Sequence, residues 1–365
     1  MAFLAMTIFV FTLIRLLVAL SNMLTRQWLR PGALPADQPM VSILIPARNE
    51  AHQIGMLLED ILAQDYSNWE VMVYDDLSED HTASVVRNYT EKNEKIRLIP
   101  GIELPAGWLG KSHGCHQLAA EARGKFLLFI DADVRLGKAA LRDAVGHLER
   151  FQLDLLSVFP RQRMESFGER ISVPLMNWVL LSLLPLILTR KSRLPSLAAA
   201  NGQFMLFNPE TYHRHLFHQL FRKQPAEDIA IAREMKRKGL RIHTILGGRQ
   251  VECRMYPSLE EAMDGFSKNV IDFFGSSFVM AITFTLVSTL GFIPVYLAWG
   301  TTTLAIYLAM ALAIRGITAG ISRQNIIRNI LTAPLQQLIF ATTIVLAGYR
   351  KFKKTNTWKG RSINI

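Results

Sequence analysis

Cysteine is nearly absent from this 365-residue chain, with only Cys115 and Cys253. Both fall in the part that charge patterning assigns to the cytoplasm, so no disulfide is expected. Acidic residues are also scarce: 30 Asp and Glu stand against 41 Lys and Arg, a formal charge of +11. Such an excess suits nucleic acid, an anionic membrane surface or a phosphorylated ligand. The basic residues cluster beside apolar runs rather than along an aromatic-lined groove, which disfavours a nucleic-acid enzyme. The mean hydropathy is positive, which favours the membrane. No internal repeat or low-complexity tract stands out. The three histidines His213, His215 and His218 lack a closed ligand set and do not read as a zinc site.

Charge is missing altogether from Ser276 to Ile314, a run of 39 residues. That length holds two membrane spans with a turn near Gly300. The first 21 residues carry one charge, Arg15. No basic residue precedes this run and no small-residue cleavage site follows it, so a retained anchor over 1–22 is expected rather than a cleaved signal. Arg26 and Arg30 follow the anchor, and Arg315, Arg323 and Arg328 follow the second apolar region. The positive-inside rule then predicts a multi-pass protein of the cell membrane with its central domain in the cytoplasm. A third apolar stretch, 330–348, is interrupted by Pro334, Gln336 and Gln337 and has basic flanks. It reads as re-entrant or interfacial, ahead of a basic cytoplasmic tail over 349–365.

Residues 41–275 read as an α/β domain. VSILIP (41–46), WEVMVYDD (69–76), IRLIP (96–100) and FLLFI (126–130) are strand-like, and helical periodicity separates them. The alternation predicts a mostly parallel sheet with helices on both faces. Ligands of such sheets sit beyond the carboxyl ends of the strands. Those ends carry Arg48, Asn49 and Glu50, then Asp75 and Asp76, then Asp131 and Asp133. Any one acidic end could be a helix cap. Three together, with no basic residue beside each, point to a metal and a nucleotide. A hard cation such as Mg²⁺ takes carboxylate oxygens together with phosphate oxygens.

The ordered motifs ILIPARNE (43–50), VYDDLSED (73–80), FIDAD (129–133) and AEDIAIA (226–232) resemble the family-two inverting glycosyltransferases of GT-A fold. With GWLGKSHG (107–114), CRMY (253–256) and WKGR (358–361), the chain is most similar to membrane glycosyltransferases of carotenoid (diaponeurosporenoate) and hopanoid pathways. The resemblance extends over nearly the whole chain. It implies that Asp131 and Asp133 bind Mg²⁺ or Mn²⁺ on the sugar-nucleotide diphosphate. It implies that Pro46, Arg48, Glu50, Asp75 and Asp76 help hold the nucleotide. Lys111 and Arg254 fall where basic residues approach the diphosphate, and Asp228 matches the acceptor-activating base. One departure is that Gln250 and Arg254 are one residue too far apart for the Gln-x-x-Arg-Trp motif of processive members, and Met255 replaces its Trp. This argues against polymer synthesis.

The residues fit that chemistry. A carboxylate at Asp228, near a helix start, can take the acceptor proton while a metal stabilises the leaving diphosphate. ISVPLMNWVLLSLLPLILT (171–189) is uncharged but flanked by Arg170, Arg190, Lys191 and Arg193. A crossing there would separate Asp131 from Asp228 across the bilayer, so an interfacial helix near a lipid acceptor is expected. An ordinary core helix is the alternative. His113 and His116 are expected to line or flank the donor pocket. ANGQF (200–204) reads either as a loop beneath the acceptor sugar or as a simple turn. Two further readings stay open: a polyprenyl phosphate as acceptor, or a non-catalytic membrane scaffold.

Overall fold

The computed structural model describes residues 1–32 and 37–353, and the backbone of 357–358 and 361–362. The side chains of the WKGR motif and most of the expected basic tail therefore lie outside the described residues. The chain forms two compact units.

One unit comprises Gln27–Arg161, Ile187–Arg254 and Thr357–Ile365. Its strands in chain order are β1 (Val41–Ala47), β2 (Trp69–Asp75), β3 (Ile96–Pro100), β4 (Phe126–Ile130), β5 (Val134–Leu136), β6 (Leu155–Phe159), β7 (Arg161–Gln162), β8 (Phe204–Phe207), β9 (Ile242–Leu246) and β10 (Val251–Cys253). Seven of them build one sheet in the order β3-β2-β1-β4-β8-β6-β9, and β5, β10 and β7 build a small one. The pairings β1–β2, β1–β4, β2–β3 and β6–β9 are parallel, whereas β8 runs antiparallel to both β4 and β6.

The continuous apolar runs are explained by burial on both faces. Val41, Ile43, Ile45, Val71, Val73, Leu128 and Ile130 pack into one core. The alternate residues Leu44, Met72, Tyr74, Leu127 and Phe129 pack into a second core. This is the two-residue alternation of a strand between two helical layers. Ala47 pairs with Asp75 and Asp75 with Pro100, so the parallel strands end together at one edge.

The other unit comprises Met1–Arg26, Gln162–Leu186 and Met255–Asn356 and is helical. Ala2–Thr25 and Phe278–Ile321 are long and apolar enough to cross a membrane. The second stretch is a helix Phe278–Leu290 followed by Phe292–Ile321, which breaks at Gly300. With φ 74° and ψ −167°, Gly300 has a backbone that side-chain-bearing residues avoid. Residues 171–189 are not one helix. Pro174–Leu183 and Ile187–Lys191 are separate helices, and Pro185 lies in the break. A proline ring cannot continue the preceding hydrogen-bond ladder. Residues 333–353 form a single helix, with Pro334 in its first turn, where proline is tolerated.

Candidate active site

The carboxyl edge of the sheet gathers the polar residues because strand pairing leaves them no other place. Ile130 pairs with Phe204 in β8, which sets Asp131 beside Gln203. The Asp131 amide donates to the Gln203 carbonyl at 3.3 Å. The antiparallel β8 thus delivers Asn201-Gly202-Gln203 to the edge where parallel β4 delivers Asp131 and Asp133.

Lys111, on the helix Gly110–Glu121, is the centre of the cluster. Its Nζ lies 2.7 Å from Asp131 Oδ1 and 3.6 Å from Glu227 Oε1. It also lies 3.4 Å from the Gly202 carbonyl oxygen. Burial pulls the ammonium down, but Asp131 and Glu227 outweigh it and hold Lys111 well above the usual lysine range. The charge is therefore permanent at any physiological pH.

Glu227 and Asp228 open the helix Glu227–Arg237. Asp228 Oδ2 accepts from the Gly202 amide at 2.8 Å, and Oδ1 accepts from the Ile229 amide at 2.7 Å. Burial raises the Asp228 carboxyl, while Lys111 and these two amides oppose the rise. Glu227 is buried more deeply and is pushed to about 7, chiefly by desolvation, with the neighbouring Asp228 charge adding to the rise. A helix start favours ionised carboxylates, yet burial is the stronger influence at this one.

Asp133 has other partners than Lys111. It accepts from Gln203 Nε2 at 3.2 Å and from the Cys253 thiol at 3.3 Å. Burial first, and then the charges of Asp131 and Glu50, raise its carboxyl to about 7. The Cys253 thiol is itself pushed well up by burial, so it remains a neutral donor. Gln203 also donates to Cys253 at 2.8 Å, while its side-chain oxygen is buried without a partner. Two carboxylates and an unsatisfied amide oxygen are hard oxygen donors, which fit a hard divalent cation. Among the described residues, no group of three or more His, Cys, Asp or Glu side chains has metal-holding geometry.

The other expected residues line the same edge in different ways. Pro46 pairs with Tyr74, next to Ala47 and Asp75. Buried Arg48 donates from Nη1 to the Asp76 and Leu77 carbonyls, both at 2.7 Å, and pairs with Glu79 at 2.9 Å. It ties the end of β1 to the loop after β2. That loop holds Leu77 at φ 52°, a left-handed backbone rare for a bulky residue. The Asp76 amide donates to Ala47, and Asp75 accepts from the Ser78 amide. The Glu50 amide donates to Thr82 Oγ1 at 2.8 Å, and its charge is felt at Asp133. Arg254 directly follows β10. His113 is buried beside Tyr74 and Trp108, and His116 lies against Trp108 at 5.2 Å between ring centroids.

Sequence reasoning missed Gln203 and Cys253 as neighbours of Asp133. The one signal for Gln203 was a polar residue opening an apolar strand. Cys253 entered only as the first residue of CRMY, with no role attached.

Residues 42–226 match the family described as Glycosyl transferase family 2. The chain belongs to this family. It is 29% identical over 254 residues to the 4,4'-diaponeurosporenoate glycosyltransferase of Staphylococcus aureus (strain USA300), and equally so to that of strain NCTC 8325 / PS 47. The match spans 67% of this chain and 64% of that relative's length. Among solved structures, the chain is similar to the mannosyltransferase PcManGT from Pyrobaculum calidifontis in complex with GDP-Man and Mn²⁺. That match has a TM-score of 0.55 and 19% identity, and covers 95% of this chain and 99% of the other. It shows the GT-A fold. The expected fold class, a mostly parallel α/β sheet with apolar helices at both ends of the chain, is the one observed.

Proposed function

We propose that this family 2 protein is a membrane-bound inverting glycosyltransferase. It moves one sugar from a nucleotide donor, a UDP-sugar by our reading, to a lipid acceptor such as a carotenoid or hopanoid. The observation that carries the proposal is the polar cluster at the sheet edge, in which Lys111 bridges Asp131 and Glu227 while Asp228 is gripped by two amides. A scaffold that had merely kept the fold would have no use for four buried or half-buried carboxylates around one lysine. The named Staphylococcus relatives support a lipid acceptor.

In this reading Asp131 and Asp133 would hold a divalent cation, with the Gln203 side-chain oxygen close by. When bound, such a cation withdraws charge from the departing diphosphate. Lys111 supplies a fixed positive charge beside the same phosphates. Pro46, Arg48, Glu50, Asp75 and Asp76 form the nucleotide edge, and Arg254 approaches the diphosphate. Asp228 accepts the proton of an acceptor hydroxyl as its oxygen attacks the anomeric carbon, whereas a carboxyl acceptor attacks already ionised. The two amides keep the carboxylate aimed and leave a lone pair on each oxygen for that proton. Attack opposite to the departing diphosphate inverts the anomeric centre.

The domain arrangement follows from the same reading. Residues 1–22 anchor the chain, 41–275 carry the transferase, and 276–314 cross the membrane twice. The segments 171–189 and 330–348 lie at the cytoplasmic interface, ahead of the basic tail 349–365.

The test is transfer from labelled UDP-sugars into extracted lipids by the full-length protein, with the lipids identified by mass spectrometry. Asp133→Asn should fold and lose at least 100-fold in turnover, and EDTA should stop the wild-type enzyme. Full activity in EDTA would rule out the metal.

A further inference from the structure

The helical unit contains two buried arginines that face one tryptophan. Arg15 lies on the helix Ala2–Thr25, and Arg315 on the helix Phe292–Ile321. Their side chains are 4% and 6% exposed. The guanidinium carbon of Arg15 is 4.6 Å from the Trp178 ring centroid, and that of Arg315 is 3.8 Å from it. Arg15 also lies 4.7 Å from the Phe284 ring.

Their other partners are all neutral. Arg15 donates to Ser182 Oγ at 2.9 Å. Arg315 donates to Gln336 Oε1 at 2.9 Å and to Gln337 Oε1 at 2.8 Å. No carboxylate among the described residues lies within ion-pair distance of either guanidinium. Three acids of this unit are engaged elsewhere: Asp264 with Lys268 and Arg350, Glu169 with the amides of Glu165 and Ser166, and Asp272 with Ser276.

Rings and amide oxygens orient a guanidinium but do not neutralise it. Buried charges are normally paired, because an uncompensated one is strongly unfavourable in an apolar surrounding. Here two of the same sign share one indole. Arginine forks also match the planar oxygens of carboxylate and phosphate. The same two helices also carry exposed apolar residues: Ile14 and Leu17, one before and two after Arg15, and Leu312, one turn before Arg315.

We propose that Arg15, Trp178 and Arg315 form a binding site for a lipid with an acidic head group, a carboxylate or a phosphate. The head group supplies the missing negative charge to the two guanidiniums. The hydrocarbon chain lies along the exposed apolar faces of the two helices. The site is independent of sugar transfer, since every residue in it belongs to the helical unit.

The experiment uses the full-length protein in a neutral maltoside detergent with a bound fluorescent fatty acid as the reporter. Dodecanoate, dodecyl phosphate, dodecanol and inorganic phosphate are added as competitors. Dodecanoate or dodecyl phosphate should displace the reporter at concentrations at least tenfold lower than dodecanol. Inorganic phosphate should not displace it in the same range. Of the two acids, the tighter one identifies the head group. Arg15→Gln and Arg315→Gln should each weaken the acid at least tenfold and leave dodecanol unchanged. Equal displacement by dodecanol and the acids overturns the proposal on the wild-type protein alone, whether or not the variants fold. Displacement by inorganic phosphate as effective as by dodecyl phosphate also overturns it, as does unchanged acid binding in a folded R15Q/R315Q double variant. Sugar transfer by a protein whose reporter is displaced equally by dodecanol and the acids would refute this site and leave the proposed function standing. Acid binding without transfer would do the reverse.

Discussion

Replacing Asp228 by Asn is expected to abolish transfer while leaving the donor bound. Both carboxylate oxygens of Asp228 accept from backbone amides, Gly202 at 2.8 Å and Ile229 at 2.7 Å. An asparagine can satisfy only one of the two with its single oxygen. Its amide nitrogen then faces the other N–H, donor against donor, which costs about 1–3 kcal/mol of stability. More importantly, the amide cannot take up the acceptor proton. Loss of a general base lowers turnover by roughly 10²–10⁴, equivalent to about 3–5 kcal/mol of barrier. Donor affinity should change by less than about threefold, because Asp131, Asp133 and Lys111 are untouched and Lys111 contacts Asp131 and Glu227 rather than Asp228. The assay pairs calorimetric titration of the UDP-sugar with lipid transfer on the same preparation. A fall in kcat with Kd retained identifies an interaction made in the transition state. Near wild-type transfer by Asp228→Asn would refute the assignment, and Glu227→Gln would then be expected to show the loss. An equal fall in donor affinity and turnover would instead move Asp228 to the donor side.

Three other outcomes can be checked independently. A Cβ at Gly202 would sit 3.0 Å from Lys111 Nζ and 3.4 Å from Glu227 Oε1. Gly202→Ala should therefore displace the lysine and reduce turnover at least tenfold with little change in melting temperature, and wild-type turnover would show that the lysine yields freely. His218 and His243 are fully buried, and desolvation lowers each to about 3, so both are neutral in the folded state near neutrality. The unfolded chain takes up protons below about pH 6.5, so stability is fully present above that pH and falls as the pH drops toward 3, by about 2 kcal/mol per histidine at pH 5. Urea midpoints at pH 7 and 5 for the wild type and an H218Q/H243Q variant separate this from the opposing protonation of Asp133 and Glu227, and an equal shift in the two proteins would contradict it. Cysteine introduced at Ser192 should react only with a membrane-permeant reagent in intact cells, against a low background because Cys115 and Cys253 are buried. Labelling by an impermeant reagent would reverse the topology.

The strands IRLIP and FLLFI were legible to the residue, and the first two to within one residue at their ends. A strand buried on both faces must be apolar throughout and must end where polar residues begin, and both features are local. The acidic strand ends were legible for the same reason. Parallel pairing then guarantees that such ends share an edge, so part of the site could be drawn before any coordinates. The motif carrying Asp228 was readable as a helix start, because an acidic pair before an amphipathic run is a local signal.

What only the tertiary structure decided is which of these groups touch. The antiparallel insertion of β8 between β4 and β6 brings Gly202 to Asp228 and Gln203 to Asp133, across separations of 26 and 70 residues. No local pattern encodes an antiparallel strand within a mostly parallel sheet, since all of these strands are equally apolar. Burial likewise reverses what composition implies for the carboxyls, raising Asp133 and Glu227 to about 7, well above the ordinary carboxylate range. Desolvation is a property of everything packed around a side chain and has no counterpart in its neighbours along the chain. In the helical unit the chain declares Arg15 an oddity within an apolar run, but only packing sets it against Trp178 with Arg315. Sequence determines which segments must be buried, because hydrophobicity is carried residue by residue. The packing of those segments determines which charges meet, because Coulomb interactions depend on distance through space.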